Sequence, residues 1–369
     1  MWQRILALII KEFLAVWKDK KSRTVIIVPP LIQLLVFGYA ATFDLNHVAV
    51  AIYNEDGGRL SRQLVARFEG SPTFDVVAHL DRSSQITGMI DPKKASLVIH
   101  IGQTFSRDLL AHRQTKVQAI VDGRNSNTAL IILGYVSRIV NDFNREWAHS
   151  IGEPPPPANL VVRAWFNPNL ESRWFIVPGI VALLTLVVTT VVTALSVARE
   201  REVGTFEQLL VAPFTPFEIL AGKSLPALAI GLAEGTLIVV VAVFWFGVPL
   251  VGNIALLYAG LLLYILAVAG VGLMVSSLAR TQQQAILGTF LFVVPSVILS
   301  GFSTPIANMP AFIQHITLLN PMRYFLVIVR GIFLEDLPAQ IVYGQLWPMA
   351  LIAVVTLTGA AWLFRRNTT

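Results

Sequence analysis

The chain has 369 residues, of which 55% are apolar, with a mean hydropathy of +0.66 and a formal charge of +6. This is too apolar for an ordinary soluble domain, and uncharged stretches of about 20 residues match the length a helix needs to cross about 30 Å of hydrocarbon. The lack of cysteine excludes disulfides, zinc thiolates and thiol catalysis, and a basic surplus in a membrane protein reports topology rather than nucleic-acid binding.

Residues 1–24 read as a cytoplasmic amphipathic helix rather than a cleaved signal, because the apolar run Ile5–Ile10 stops at Lys11-Glu12. Trp2, Ile5, Ile9, Phe13 and Trp17 share one side, while Arg4, Lys11 and Lys18 lie on another. That pattern suits a helix lying in the membrane interface; packing on the protein's own cytoplasmic face is the alternative. The first span is expected at 25–43. Six basic residues against two acids precede it, which predicts a cytoplasmic N-terminus.

Residues 44–173 change character. Val- and Ile-rich runs (Val48–Tyr53, Ala95–Ile101, Val117–Val121) alternate with helical patterns. One helix shows Leu60, Leu64 and Phe68, and another Ile131, Tyr135, Ile139, Phe143 and Trp147. Such alternation predicts a compact α/β domain. Its fourteen basic residues are compatible with an outside location, because long domains translocate largely regardless of charge. Pro154–Pro157 reads as a stiff tether back towards the membrane.

Five further spans are expected at 174–198, 225–246, 254–278, 285–302 and 346–364. Arg199, Arg201, Lys223 and Arg280 mark the segments between them as cytoplasmic, as Arg365-Arg366 mark the tail 365–369, while the outside loop 247–253 has no basic residue. Residues 303–345 are broken by Pro305, Pro310, Pro321 and Pro338 and read as an external re-entrant or interfacial hairpin, with Met322–Leu334 apolar enough to dip into the bilayer. The expected fold is an α-helical integral membrane protein of about six transmembrane helices, with a large extracytoplasmic α/β domain inserted between helices 1 and 2.

Residues 199–224 form the one substantial cytoplasmic loop. Its mixed-charge start, Gly204-Thr205 break, acidic-apolar turn and Pro213 stop make either a rigid knob for a cytosolic partner or a helix end with snorkelling charges. Gly222-Lys223-Ser224 imitates the end of a phosphate-binding loop, but Phe217 stands where that motif requires glycine. The six histidines show no metal-ligand spacing, no G-x-S-x-G elbow exists, and Asp122–Asn127 has the composition of a turn with Asn125 or Ser126 as helix cap. In the spans the notable polar groups are Gln33, Thr185, Thr189, Thr190, Thr193 and Glu234. Thr185, Thr189 and Thr193 share a face and serve either helix packing or a polar wall of a transport path. Glu234, near a span's middle, is either a buried hydrogen-bonded acid or a contact on that path.

The order of segments resembles the membrane subunit of ABC-2 type transporters, the permeases of ATP-binding cassette exporters of drugs, lipids and polysaccharides. The resemblance covers nearly the whole chain. It rests on the entry helix, the domain between spans one and two, Asn167-Pro168-Asn169-Leu170, the loop from Arg199 to Pro213, Ser300–Pro310 and Asn320-Pro321. It implies that the loop docks on a partner ATPase through Arg199, Glu200, Arg201, Glu202, Gly204, Thr205, Glu207, Leu209 and Pro213, and that ATP and Mg bind that partner rather than this chain. It further implies a second permease copy or related permease, a bacterial cytoplasmic membrane with both termini inside, and an amphiphilic or lipid substrate. A periplasmic adaptor is suggested by the size of the outer domain. An ion-gradient-driven transporter would predict repeated spans and several buried charges. A receptor would need an output domain, and a membrane enzyme a catalytic cluster; the sequence shows neither.

Overall fold

The computed structural model describes residues 2–18, 20–40, 45, 47–152, 165–169, 171–205 and 215–366. They divide into a helical unit, 1–42 with 164–369, and an α/β unit, 43–163.

The α/β unit holds a four-stranded sheet with strand order β2-β1-β3-β4, formed by β1 (Val48–Asn54), β2 (Phe74–Leu80), β3 (Leu97–Ile101) and β4 (Val117–Val121). β1 pairs in parallel with β2 and β3, and β4 closes the edge antiparallel. Helices α3 (Arg59–Glu69), α4 (Gln85–Ile90), α5 (Phe105–Leu110) and α6 (Ser126–Ser150) complete it. The period-2 alternation sends Val50, Ile52, Leu97 and Ile99 towards Leu60, Leu64 and Phe68 of α3, Phe105 of α5 and Phe143 of α6. Ala51, Tyr53 and Val98 point to the other face, under Ile86 and Met89 of α4.

Strand β2 escapes the sequence reading because it lies at the sheet edge, where burial alternates and only its ends, Phe74 and Leu80, are fully buried. The core stripe of α6 also differs from the expected i+4 series. Ile132 and Val136 are buried, while Ile131, Tyr135 and Ile139 are half-buried. At 3.6 residues per turn each four-residue step drifts by about 40°, so a strict i+4 row cannot stay on one face. The Asp122–Asn127 turn acts as an internal brace. Arg124 binds Asp122 and reaches the carbonyls of Ile90 and Asp91, its guanidinium holds the Asp122 carboxyl down at about 2, and Asn125 caps α6.

The helical unit begins with α1 (Trp2–Lys18) and α2 (Lys20–Ala40) and continues with α7 (Ser172–Val203), α8 (Pro216–Phe244), α9 (Ile254–Leu278) and α10 (Gln282–Ile298). Short helices α11 (Ala311–Ile316) and α12 (Pro321–Leu334) precede α13 (Ala339–Arg366). α7 is the hub: 72% of its most apolar window is buried, against 22% for α13. Around it pack Tyr264 of α9 and Phe325 of α12, whose rings stack at 4.6 Å, and the Tyr264 hydroxyl donates to the Ala182 carbonyl of α7. Large apolar side chains left outside, such as Leu287, Phe290, Leu291 and Val294 on α10, suit contact with lipid.

Four helices among the described residues are long and apolar enough to cross a membrane, at 172–203, 221–244, 254–278 and 339–366, or five if the bent pair 311–334 is one span. The described residues alone do not reach the expected count of about six. The apolar part of α2, Val28–Tyr39, and α10, with 17 residues, are shorter. At 1.5 Å per residue α10 measures only about 26 Å.

The expected 303–345 hairpin ends earlier than its stated boundary. Its last residues already belong to α13, which starts directly after Pro338, where a missing N–H costs no helical bond. The hairpin itself is a helix pair bent by 84°. The bend comes from Asn320-Pro321: a residue before proline avoids the helical region, and Asn320 sits at φ −95°, ψ 112° while its side chain caps Met322 and donates to the Ser296 carbonyl.

Candidate functional site

Helix α7 ends where the sequence inserts Gly204. With φ +79° it takes the left-handed conformation, and Gly204 N–H and Thr205 N–H donate to the carbonyls of Arg201 and Glu200. Helix α8 opens with a capping box: Thr215 and Glu218 satisfy each other's backbone N–H groups, with Pro216 in the first turn. The expected loop 199–224 is therefore mostly helix ends. Glu207, Leu209 and Pro213 lie outside the described residues.

The flanking charges face inward. Lys223 is on α8 with its side chain only 1% exposed, and its Nζ lies 2.9 Å from Glu12 Oε1 of α1 and 2.9 Å from Glu200 Oε2 of α7. Lys11 Nζ sits 2.5 Å from Glu200 Oε1, and Lys223 also donates to the Ser196 carbonyl. Two ammonium groups and two carboxylates thus join α1, α7 and α8 in a neutral chain. Glu200, expected on a partner-facing surface, is buried inside the protein instead. Gly222-Lys223-Ser224 lies within α8, so its lysine is a structural cation rather than part of a loop.

Arg201 and Glu202 brace α7 differently. Arg201 Nη1 donates to the carbonyls of Ser277 and Ala279, and Glu202 Oε2 accepts the Gln282 N–H at the start of α10. Arg199 is half-buried on α7.

Helix α1 packs on the helical unit, the alternative to the interface reading, and its burial does not follow the expected shared side, since Ile5 is covered while Phe13 is not. Ile5 and Leu8 are buried, and a Cβ on Gly222 would stand 2.6 Å from the Leu8 Cβ, so α1 rests directly on α8. Leu6, Ile10, Phe13 and Leu14 remain exposed, leaving an apolar strip suited to the membrane interface.

The threonines do not form a polar wall in this conformation. Thr185, Thr189, Thr190 and Thr193 are all fully buried. Thr190 and Thr193 donate to carbonyls one turn back, at Leu186 and Thr189. The others face glycines: a Cβ on Gly231 would meet Thr189 Oγ1 at 2.8 Å, and one on Gly235 would meet Thr185 Oγ1 at 3.6 Å. Small residues opposite threonine let helices approach closely, and that packing occupies the whole face.

Glu234 is placed otherwise. It lines a cleft of about 220 Å³ between α2 and α8, with Pro30, Leu31 and Leu34 on one side and Ile230, Ala233 and Leu237 on the other. It is 8% exposed, and neither carboxylate oxygen has a hydrogen-bond partner among the described residues.

Two features lay beyond the sequence reading. Glu12 and Lys223 are 211 positions apart, and only their placement beside apolar segments hints that each needs a partner. Arg330 of α12 has no carboxylate partner among the described residues and stacks 3.8 Å over the Phe175 ring.

A family model described as ABC-2 family transporter protein matches residues 20–362. The chain is 40% identical to probable multidrug ABC transporter permease YbhR of Escherichia coli, covering 100% of both chains. It is 33% identical to probable multidrug ABC transporter permease YbhS of Escherichia coli, over 98% of this chain and 96% of that one. Inner membrane transport permease YhhJ of Escherichia coli is 30% identical, over 97% and 96%.

Proposed function

The chain belongs to the ABC-2 transporter family, and on that premise we propose that it is the permease subunit of an ATP-driven exporter in a bacterial cytoplasmic membrane. It moves an amphiphilic small molecule or lipid outward, using ATP and Mg bound by a separate ATPase subunit. Two permease halves, identical or related, enclose one path. The α/β unit lies outside the cytoplasm, where an adaptor protein can reach it, and both termini and the 199–224 segment lie inside.

The observation that carries this reading is the ion-pair chain Lys11–Glu200–Lys223–Glu12. It ties α1, α7 and α8 together where residues 206–214 connect α7 to α8. A push on that connection would reach two spanning helices and the entry helix as one body rather than bend a single helix end. Exchange between inward and outward access then follows from rigid-body movement of these helices.

Glu207→Arg tests the docking. Charge reversal at the contact is expected to lower co-purification of the ATPase, and with it export, about tenfold or more, while membrane abundance stays unchanged. A correctly inserted Glu207→Arg protein that retains both would remove Glu207 from the contact.

The topology is tested separately. Because the chain has no cysteine, Ser71→Cys, Gln208→Cys and Thr368→Cys can each be labelled without background. An impermeant maleimide applied to sealed cells is expected to modify only the first. Labelling at position 208 from outside would invert the arrangement.

A further inference from the structure

We propose that the cleft between α2 and α8 is a binding site for membrane-dissolved amphiphilic amines, with Glu234 as the group that recognises their ammonium end. The site rests on three observations. Glu234 is more than nine-tenths buried, and both of its oxygens lack a partner among the described residues. Every other residue lining the cleft is apolar. Leu31 and Leu237, on its two walls, are 37% and 44% exposed, so the cleft opens on an exposed apolar side of the helices.

A carboxylate among aliphatic side chains is costly to leave alone, and a cation that brings its own hydrocarbon offsets this best. An amphiphilic amine supplies both parts: the ammonium pairs with Glu234, and its first methylenes lie against Leu34 and Ile230. An anion would be repelled. A neutral alcohol would gain only a hydrogen bond. The volume of about 220 Å³ is below the roughly 300–1,000 Å³ that encloses a whole drug-sized ligand. The cleft therefore takes the charged end while the rest of the molecule stays in the bilayer, as suits a compound collected from the membrane.

The proposal deepens the export reading and rests on it for the fate of the bound amine, but binding itself requires no ATPase. The test uses the full chain in phospholipid nanodiscs and two probes, a dansyl-tagged dodecyl chain ending in a primary amine and the same chain ending in a hydroxyl. Wild type is expected to bind the amine about tenfold more tightly than the alcohol. Glu234→Gln, which keeps shape and removes the charge, should erase that preference and leave alcohol binding unchanged. Glu234→Asp should retain part of it, and Ala233→Trp, which fills the cleft, should weaken both probes.

Equal binding of the two probes by wild type, or an undiminished amine preference in Glu234→Gln, overturns the proposal and leaves a groove for lipid acyl chains. Should the glutamine variant fold poorly, the wild-type probe pair with Glu234→Asp and Ala233→Trp decides alone. An amine preference that survives while ATP-driven export is absent refutes the transport reading and not the site. Export without amine preference does the reverse.

Discussion

Lys223→Met is expected to destabilise the protein by about 3–5 kcal/mol, the range found when one partner of a buried ion pair is removed and the other charge stays. The Lys223 side chain is 1% exposed, and those of Glu200 and Glu12 are 9% and 12% exposed, so little water reaches the carboxylates once the ammonium is gone. Lys11 still pairs with Glu200, but its side chain is half-exposed and it does not serve Glu12. Thermal unfolding in detergent and abundance in the membrane should both fall. Removing both acids as well, in Lys223→Met with Glu12→Gln and Glu200→Gln, should recover most of the loss, because the cost lies in the stranded charges. If the single variant unfolds with the wild type, the network contributes nothing to stability.

Gly272→Val should have the second largest effect. A Cβ at this position would stand 1.8 Å from Thr193 Oγ1, and 2.9 Å from the Thr190 carbonyl oxygen. The threonine side chain can turn away, but the carbonyl belongs to the α7 backbone, so α7 and α9 must separate along their contact. Overpacking of this kind costs about 1–3 kcal/mol or more. Gly272→Ala combined with Thr193→Ala should relieve only part, since the backbone contact remains. Gly344→Ala in α13, where a Cβ would meet nothing within 4 Å, is the control and should be tolerated. Measured by thermal unfolding and by the elution profile in detergent, a Gly272→Val protein that behaves like Gly344→Ala would show that the two helices do not need this approach.

Both effects arise from contacts that sequence reading could not pair. Thr193 and Gly272 each carry a local signal, a polar residue and a small residue in an apolar stretch, yet nothing in either neighbourhood identifies the other. The cleft was missed for the same reason. Glu234 stood out as an acid inside a span, but the opposite wall of its cleft comes from α2, about 200 positions earlier, and Thr185 and Thr189 could not be told from cavity residues until α8 was laid against them.

What the sequence determined by itself was local in character. Uncharged length marked the long helices, strand–helix alternation marked the α/β unit, and Gly204 and Asn320-Pro321 marked where a helix stops and where a helix pair breaks. Hydropathy, periodicity and capping act over a few residues to a few turns, so a single segment contains the whole cause. The tertiary structure alone decided which charges are paired, which face of α1 is covered, that the threonines are buried between helices, and that the edge strand β2 completes the sheet. These depend on the energy of desolvating a group against whatever chain segment arrives beside it. A charge such as Glu200 is exposed or internal according to a partner that local sequence does not contain.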